Sequence, residues 1–464
     1  MKAQSTSGGH SMTALTLSKT QEGAVDYLYE HDHGILIAPT GVGKTAIALK
    51  ALEELINDEV ISRCIIVAPA KVTTNWLKES DKWGSDLTLA VGTGAKSIKL
   101  MVNDRLAPQV MVTSYESLPL LLESDHGADA ILYDELTRLK DSGGKVAKCV
   151  RKHTKDFQWR FGMTATPLSE SWEACFGMCL PIDGGKRFGR NKKHFYQQYF
   201  IQTDYQGYKF EVRADAIKEL AKKLAGISYI VGEEVKRESL SDVHHENIPY
   251  LPPISIVELQ DKIAKDYIVE VDDGVVEAAN AGVVSGKLRQ LSQGFIYGDE
   301  LEDGVKWLTT ERLLICLHEM IHTVNRWGSV VVTYEYTPVM QRLCDMANFH
   351  IDVVNGDTSK DKFDEIMKRW RSGQGEVMLL QVKAGSHGLD GLQNSCHNMI
   401  HYAPIWSRDA TMQLEGRLDR TGQTMPVHVK TIIGVDTIDE IISQRVVDKG
   451  SVFKAFIDEY RKKM

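Results

Sequence analysis

Ten short apolar runs, in two series, constrain this chain more than any other feature. The first series reads ILIAP (35–39), CIIVAP (64–69), VMVTSY (110–115), AILYDE (130–135) and WRFGMTA (159–165). The second reads SVVVTYEY (329–336), HIDVVNG (350–356), EVMLLQV (376–382), NMIHYAP (398–404) and VHVKTIIG (427–434). Each run has strand length, and helical stretches separate them. A strand that is apolar along its whole length is buried on both faces, as in a parallel sheet covered by helices. The pattern predicts an α/β protein with two parallel-sheet domains in tandem. Between them, 183–306 is more polar, with helical patches, hairpin-like pieces and the Pro-rich IPYLPPI (248–254). It is expected to be a helical and hairpin accessory insertion together with the inter-domain connection. The predicted division is a disordered leader or tag over 1–11, a first domain over 12–182, this insertion, a second domain over 307–450, and a C-terminal helix over 451–464.

Composition adds exclusions. With 43% hydrophobic and 25% charged residues, the chain has ordinary globular usage. No apolar stretch approaches the ~18 residues of a membrane span. The polar, Gly/Ser-rich N-terminus carries no secretory signal, and Met12 is a candidate start. The seven cysteines are scattered, and the close pair Cys175/Cys179 sits one turn apart in an apolar segment, which reads as core. An odd, unpatterned set suits a reducing compartment, so a cytoplasmic protein is expected. A net charge of −8 excludes a uniformly basic nucleic-acid binder but permits a local basic groove.

The chemistry begins at ILIAPTGVGKTAIALKAL (35–52), a strand, a glycine-bearing loop and a helix. Backbone N–H groups of such a loop, with the helix N-terminus behind it, create positive potential for phosphate oxygens. Thr40, Gly41, Val42 and Gly43 would form the cradle, Lys44 would reach the β/γ-phosphates, and the Thr45 hydroxyl would ligate Mg²⁺. Asp134 and Glu135 end a later strand of the same sheet. At that edge, where ligands of such sheets bind, Asp134 would hold Mg²⁺ and Glu135 would orient or deprotonate a water.

The ordered set of motifs resembles superfamily 2 helicases, and within them the Snf2-like group. APTGVGKT (38–45) is similar to their first motif, which begins with Ala, so Ala38 is expected there. LSKTQ (17–21) looks like the segment whose glutamine, here Gln21, reads adenine. IIVAPAKVTTNWLKE (65–79), VTSYESL (112–118), DELTRLKD (134–141) and GMTATPL (162–168) follow in the family's order. In the second half, VKAGSHGLD (382–390) and QLEGRLDRTGQ (413–423) resemble motifs V and VI, and TIDEIISQRVVDK (437–449) the helix after them. Three positions depart. Thr137 stands where the group has His, Ser386 and His387 interrupt the Gly-rich motif V, and Gly416 replaces a frequent Asp.

The resemblance implies two RecA-like domains with one ATP and Mg²⁺ in the cleft between them. Arg420 and Arg417 would reach across it as arginine fingers, with Gln413 and Asp390 also at the nucleotide, the latter on its ribose. DNA phosphates would meet Lys71, Thr73, Thr113 and Ser114 on the first domain, and Thr358, Lys383 and Ser386 on the second. Coupling would run through Thr137, Arg138, Thr164 and Thr166, with Arg138 reaching toward motif III. RFGRNKKHFYQQYF (187–200) is either a DNA-facing basic segment or an amphipathic helix with an aromatic core face. TDYQGYKFEV (203–212) reads as a hairpin turning at Gln206-Gly207, and its Tyr205 and Tyr208 are candidates for a strand-splitting wedge.

The implied activity is an ATP-dependent DNA helicase or translocase, acting as a compact, monomeric phage or bacterial form on forked, branched or duplex DNA. Replication, recombination or repair is its expected setting, with proteins of replication or recombination as candidate partners. The alternatives are a duplex translocase that displaces proteins without unwinding, and a nucleotide-gated binding module.

Overall fold

Six strands form in the first part of the chain: β1 (His33–Ile37), β2 (Cys64–Ala68), β3 (Leu89–Gly92), β4 (Val110–Ser114), β5 (Ala130–Asp134) and β6 (Trp159–Thr164). After them come β7 (Phe200–Gln202), β8 (Phe210–Val212), β9 (Ser228–Ile230), β10 (Val243–Tyr250), β11 (Ile268–Val271), β12 (Gly274–Glu277), β13 (Phe295–Tyr297) and β14 (Val305–Trp307). The last five are β15 (Val330–Tyr334), β16 (Asp352–Val354), β17 (Val377–Gln381), β18 (Asn398–His401) and β19 (Val427–Gly434). The structure, a computed structural model, describes residues 16–103, 108–168, 171–203, 210–231, 242–266, 268–271, 274–277, 281–298, 304–385, 389–420 and 422–444. The leader, Met12, Tyr205, Tyr208, Ser386 and 451–464 lie outside the described residues.

Two parallel sheets organise the molecule. The first lobe orders its strands β3-β4-β2-β5-β6-β1-β9, and the second β10-β19-β18-β15-β17-β16. All ten apolar runs are strands of these sheets. In β2 and β4 every residue is buried. Alternate side chains enter two separate cores: Ile35, Ile37, Ile65 and Val67 face one, while Leu36, Cys64 and Ile66 face the other. Apolar residues are therefore needed at every position, which is why the runs are continuous.

The order of the first sheet sets up the site. β6 lies between β1 and β5, with Ile37 in register with Thr164 and Asp134 with Met163. The ends of β1, β6 and β5 thus carry the phosphate loop, Thr164 and the acidic pair side by side.

The stretch 183–306 contributes more to the sheets than its pattern led one to expect. β9 extends the first sheet beside β1, and β10 runs parallel to β19 over eight residues, from Val243↔Val427 to Tyr250↔Gly434. Both are edge strands. β10 reads VHHENIPY and is largely exposed, so it has no apolar run to announce it. Pro249 is tolerated because an edge strand can leave one backbone N–H position unused.

The helix Lys192–Tyr199 sends Phe195 and Tyr199 into the first lobe's core, against Phe176 and Phe188, while Lys192 and Lys193 are exposed. An antiparallel pair does form, Phe200 with Val212 and Gln202 with Phe210, but its first arm precedes the expected 203–212 hairpin, and the expected turn at Gln206-Gly207 lies outside the described residues. Cys175 and Cys179 are buried in the helix Ala174–Asp183.

Candidate active site

The phosphate loop leaves β1 at Ala38 and enters the helix Lys44–Asn57 through Gly43. Gly43 has φ +81°, and no side chain caps the helix, so its first N–H groups face outward. A Cβ at Gly43 would also lie 2.8 Å from Gln21 Nε2. Gln21 Nε2 donates to the Val42 carbonyl at 2.9 Å, and its Oε1 accepts from Ser18 N at 2.7 Å. The residue expected to read adenine thus closes a capping box on its own helix and braces the loop. Lys44 Nζ donates to the Ala38 and Pro39 carbonyls at 2.9 and 3.1 Å. Thr45 is partly exposed at the helix start.

The acidic pair is held from three sides. Tyr115 Oη donates to the Asp134 and Glu135 carbonyls at 2.9 and 3.2 Å. Glu135 is left-handed, with φ 60° and ψ 59°, a costly conformation for a residue with a side chain. Its Oε1 accepts from Thr137 Oγ1 at 2.6 Å and from Thr164 Oγ1 at 3.2 Å. The Asp134 carboxylate takes a hydrogen bond from the Trp76 side chain.

The second lobe closes the other side. Gly416 sits directly against Thr40 of the phosphate loop, and any side chain there would collide with the Thr40 hydroxyl and Cβ. This close approach accounts for glycine where the resemblance often has Asp. Arg420 pairs with Asp390, and Arg417 Nη1 lies 3.9 Å from the same carboxylate. A second contact joins the lobes: Thr166 Oγ1 donates to Asp409 in the helix Arg408–Glu415, while Thr166 N donates to Thr164 Oγ1 at 3.1 Å.

Electrostatics identify these groups as one site. Burial lowers the Lys44 pKa, while Glu135 and Asp134 oppose that shift and Arg420 and Arg417 add to it. Burial raises Asp134, with Lys44 and Trp76 opposing. Burial, then Arg420, brings Arg417 down to about 10, and Asp390 and Glu135 oppose this. Burial works against the charge of Asp390, but Arg420 and Arg417 outweigh it and hold the carboxyl below its ordinary value. Lys44, Asp134, Glu135, Arg417, Arg420 and Asp390 therefore share one cleft. Shifted groups clustered in this way, here Lys44, Asp134, Arg417 and Asp390, mark functional sites.

Asp390 contacts the two arginines, and the Arg371 guanidinium donates to its carbonyl at 2.9 Å. Gln413 lies partly exposed in the helix Arg408–Glu415. Arg138 does not reach motif III: its guanidinium meets Glu116 at 3.3 Å and lies over the Tyr115 ring.

Three expected phosphate contacts need correction. Thr73, Thr113 and Ser114 are buried. The Thr113 hydroxyl donates to the Gly92 carbonyl at 2.7 Å, Thr73 to Ala70 at 3.1 Å, and Ser114 Oγ accepts from Ser117 N at 3.2 Å. These hydroxyls close strand ends and turns. Lys71 and Lys383 are exposed. Thr358 Oγ1 donates to Asn355 Oδ1 at 3.0 Å and braces its own loop.

Sequence reasoning passed over Asp409, Tyr115 and the role of Trp76. Tyr115 and Trp76 sit inside recognised motifs, so motif membership was the signal available for them; Asp409 had none.

Mg²⁺ fits the donor set, a carboxylate at Asp134 and a hydroxyl at Thr45 beside a phosphate cradle. Among the described residues, no group of three or more His, Cys, Asp or Glu could hold a metal alone.

Residues 20–247 match the family model described as SNF2-related domain, and residues 312–422 that described as helicase conserved C-terminal domain. Putative protein p41 of Acyrthosiphon pisum secondary endosymbiont phage 1 is 22% identical over 475 residues, covering 97% of this chain and 100% of the phage protein. An uncharacterized ATP-dependent helicase of Mycoplasma genitalium is 23% identical, with 92% of this chain and 40% of that protein covered. The human DNA repair and recombination protein RAD54B is 22% identical, with 91% and 52% covered. Among solved structures, the Sulfolobus solfataricus SWI2/SNF2 ATPase core in complex with dsDNA is 20% identical. It aligns with a TM-score of 0.44 over 96% of this chain and 93% of that one.

Proposed function

We propose that this chain, which belongs to the Snf2-like group of helicase superfamily 2, turns ATP hydrolysis between its lobes into movement along DNA. The observation that carries the proposal is the continuous run Thr137–Glu135–Thr164–Thr166–Asp409. It passes through the carboxylate that would face the attacking water and ends on the other lobe.

Lys44 would exchange its two carbonyl acceptors for β/γ-phosphate oxygens. Both hydroxyl donors on Glu135 use Oε1, which leaves Oε2 to orient a water in line with the γ-phosphate and take its proton. Arg417 and Arg420 would approach from the second lobe and neutralise charge on the transferring group. An arginine so placed is worth roughly 10³–10⁵ in rate. Mg²⁺, held by Asp134 and Thr45 with the nucleotide, would supply further neutralisation. A change at the γ-phosphate alters what Glu135 and Thr164 hold, and Thr166 passes the change to Asp409. Movement on DNA then requires contacts on both lobes that shift relative to each other, with Lys71 and Lys383 as exposed candidates.

Strand separation or branch migration in replication, recombination or repair is the second reading. The paired arms β7 and β8 favour it, because they provide a hairpin on the first lobe. The phage and Mycoplasma relatives support a bacterial or phage-infected cytoplasm as the setting. Among the described residues, no helix is long and apolar enough to cross a membrane.

DNA-stimulated ATPase, triplex displacement and strand displacement on forked and four-way-junction DNA test these readings together. Triplex displacement that depends on ATP and on Lys44 is expected. Lys44→Ala protein that keeps DNA-stimulated ATPase would overturn the site. Triplex displacement without fork unwinding would remove the strand-separating reading.

A further inference from the structure

Glu415 ends the helix Arg408–Glu415 and directly precedes Gly416, which abuts the phosphate loop, and Arg417, which enters the cleft. Its own carboxylate points elsewhere. Oε2 lies 3.1 Å from His245 Nε2, and Oε1 lies 3.4 Å from His401 Nε2. His401 Nδ1 is in turn 2.7 Å from Thr333 Oγ1. With protons on both Nε2 atoms, each ring donates to the carboxylate.

The two histidines come from different strands. His245 is in register with Val429, Val429 with Met399, and His401 lies two residues further along β18. Both rings therefore project from the same face, on either side of β19, and Glu415 spans the gap. One anchor, His401, is buried within the second lobe's sheet, while the other belongs to β10, the strand through which the chain enters that lobe. Burial works against the charge of Glu415, but the bonds and charges of His245 and His401 outweigh it and hold the carboxyl at about 2.

Two other uses for the bridge are weaker. Two imidazoles and a carboxylate can bind a metal, but here both Nε2 atoms are spent on carboxylate oxygens at hydrogen-bond length. Stability alone would gain little from His245, whose side chain is 58% exposed. What the bridge does control is the place of the next two residues. If Glu415 shifts, the seat of Gly416 on Thr40 and the reach of Arg417 shift with it. Misplacement of a transition-state contact by a fraction of an ångström lowers turnover more than it weakens substrate binding.

We propose that the His245–Glu415–His401 bridge is a positioning device that fixes Glu415–Arg417 against the phosphate loop and ties the seat of Arg417 to the connecting strand β10. This rests on the reading of the cleft as an ATPase site. Neither histidine touches the nucleotide; both act through Glu415.

Steady-state ATPase with linear duplex DNA, run on Glu415→Gln, His245→Gln and the double variant, tests the bridge. The expected result is a fall in kcat of about tenfold for Glu415→Gln and about threefold for His245→Gln, with the KM for ATP within about twofold of wild type. The double variant is expected to match Glu415→Gln alone, because His245 acts only through that carboxylate. Wild-type kcat in both single variants, or a rise in KM with kcat unchanged, would overturn the bridge while leaving the ATPase reading intact. Independent, additive losses would also overturn it. If Glu415→Gln fails to fold, His245→Gln decides alone, since its exposed side chain can change without disturbing the core. Wild-type protein without DNA-stimulated hydrolysis would sink both readings at once.

Discussion

Thr137 Oγ1 donates to Glu135 Oε1 at 2.6 Å, across a backbone turned into the left-handed region at Glu135. The hydroxyl reaches back two residues and, with Thr164, fixes the carboxylate that would face the attacking water. Thr137→Val keeps the shape and removes one of the two donors. Its kcat is expected to fall about tenfold with little change in KM, and Thr137→Ser is expected to stay within about threefold of wild type. Steady-state ATPase of the two variants checks this.

Thr166 and Asp409 make a contact between the lobes outside the nucleotide pocket. Asp409→Ala removes it. Basal hydrolysis is expected to stay within about threefold, while stimulation by duplex DNA is mostly lost. Rates measured with and without DNA separate the two; equal loss of both would remove Asp409 from the coupling.

Arg312 and Asp439 are both buried and pair at 2.6 Å. Arg312 also donates to the Tyr402 and Ser292 carbonyls at 2.8 and 2.9 Å, and Asp439 accepts from Ser292 Oγ and Gly434 N. Asp439→Ala leaves a buried guanidinium without its counter-charge. A loss of about 3–5 kcal/mol of stability is expected, measured by urea unfolding, and a loss of similar size for Arg312→Met, which leaves the buried carboxylate uncompensated.

Acid should reveal Glu415. Its carboxyl stands at about 2 in the folded chain against an ordinary 4.5. A depressed folded value means that the stabilisation is complete above 4.5 and is lost as pH falls toward 2. Its size is at most about 3 kcal/mol, and less after allowing for the exposed His245. Unfolding free energies measured between pH 5 and pH 3 are expected to fall less steeply with pH in Glu415→Gln than in wild type.

The sheets were legible because burial on both faces forces continuous apolar runs, as at Cys64–Ala68. β3 and β9 were not, being only four and three residues long, nor was β10, since an edge strand can be polar, as His244, His245 and Glu246 are. The cleft was legible through Lys44, Asp134, Glu135, Arg417 and Arg420, whose spacing carries their chemistry. Hydroxyl residues were a different matter. Thr73, Thr113 and Ser114 look like phosphate ligands in sequence, yet a strand end can spend the same hydroxyl on its own backbone. Position 137 shows the converse: read as a missing histidine, it is a threonine with a hydrogen-bond partner. Nothing in the local sequence reveals Asp409, because its partner is 243 residues away.

The pairing of β10 with β19 has a consequence for dissecting the molecule. A fragment starting at residue 307 would contain every other strand of the second sheet and still be incomplete. The outer edge of β19 would be bare over the eight residues that β10 covers. A bare parallel edge of that length recruits other chains, so such a fragment should self-associate. The smallest separable unit of this lobe begins at β10, not where its own first apolar run begins.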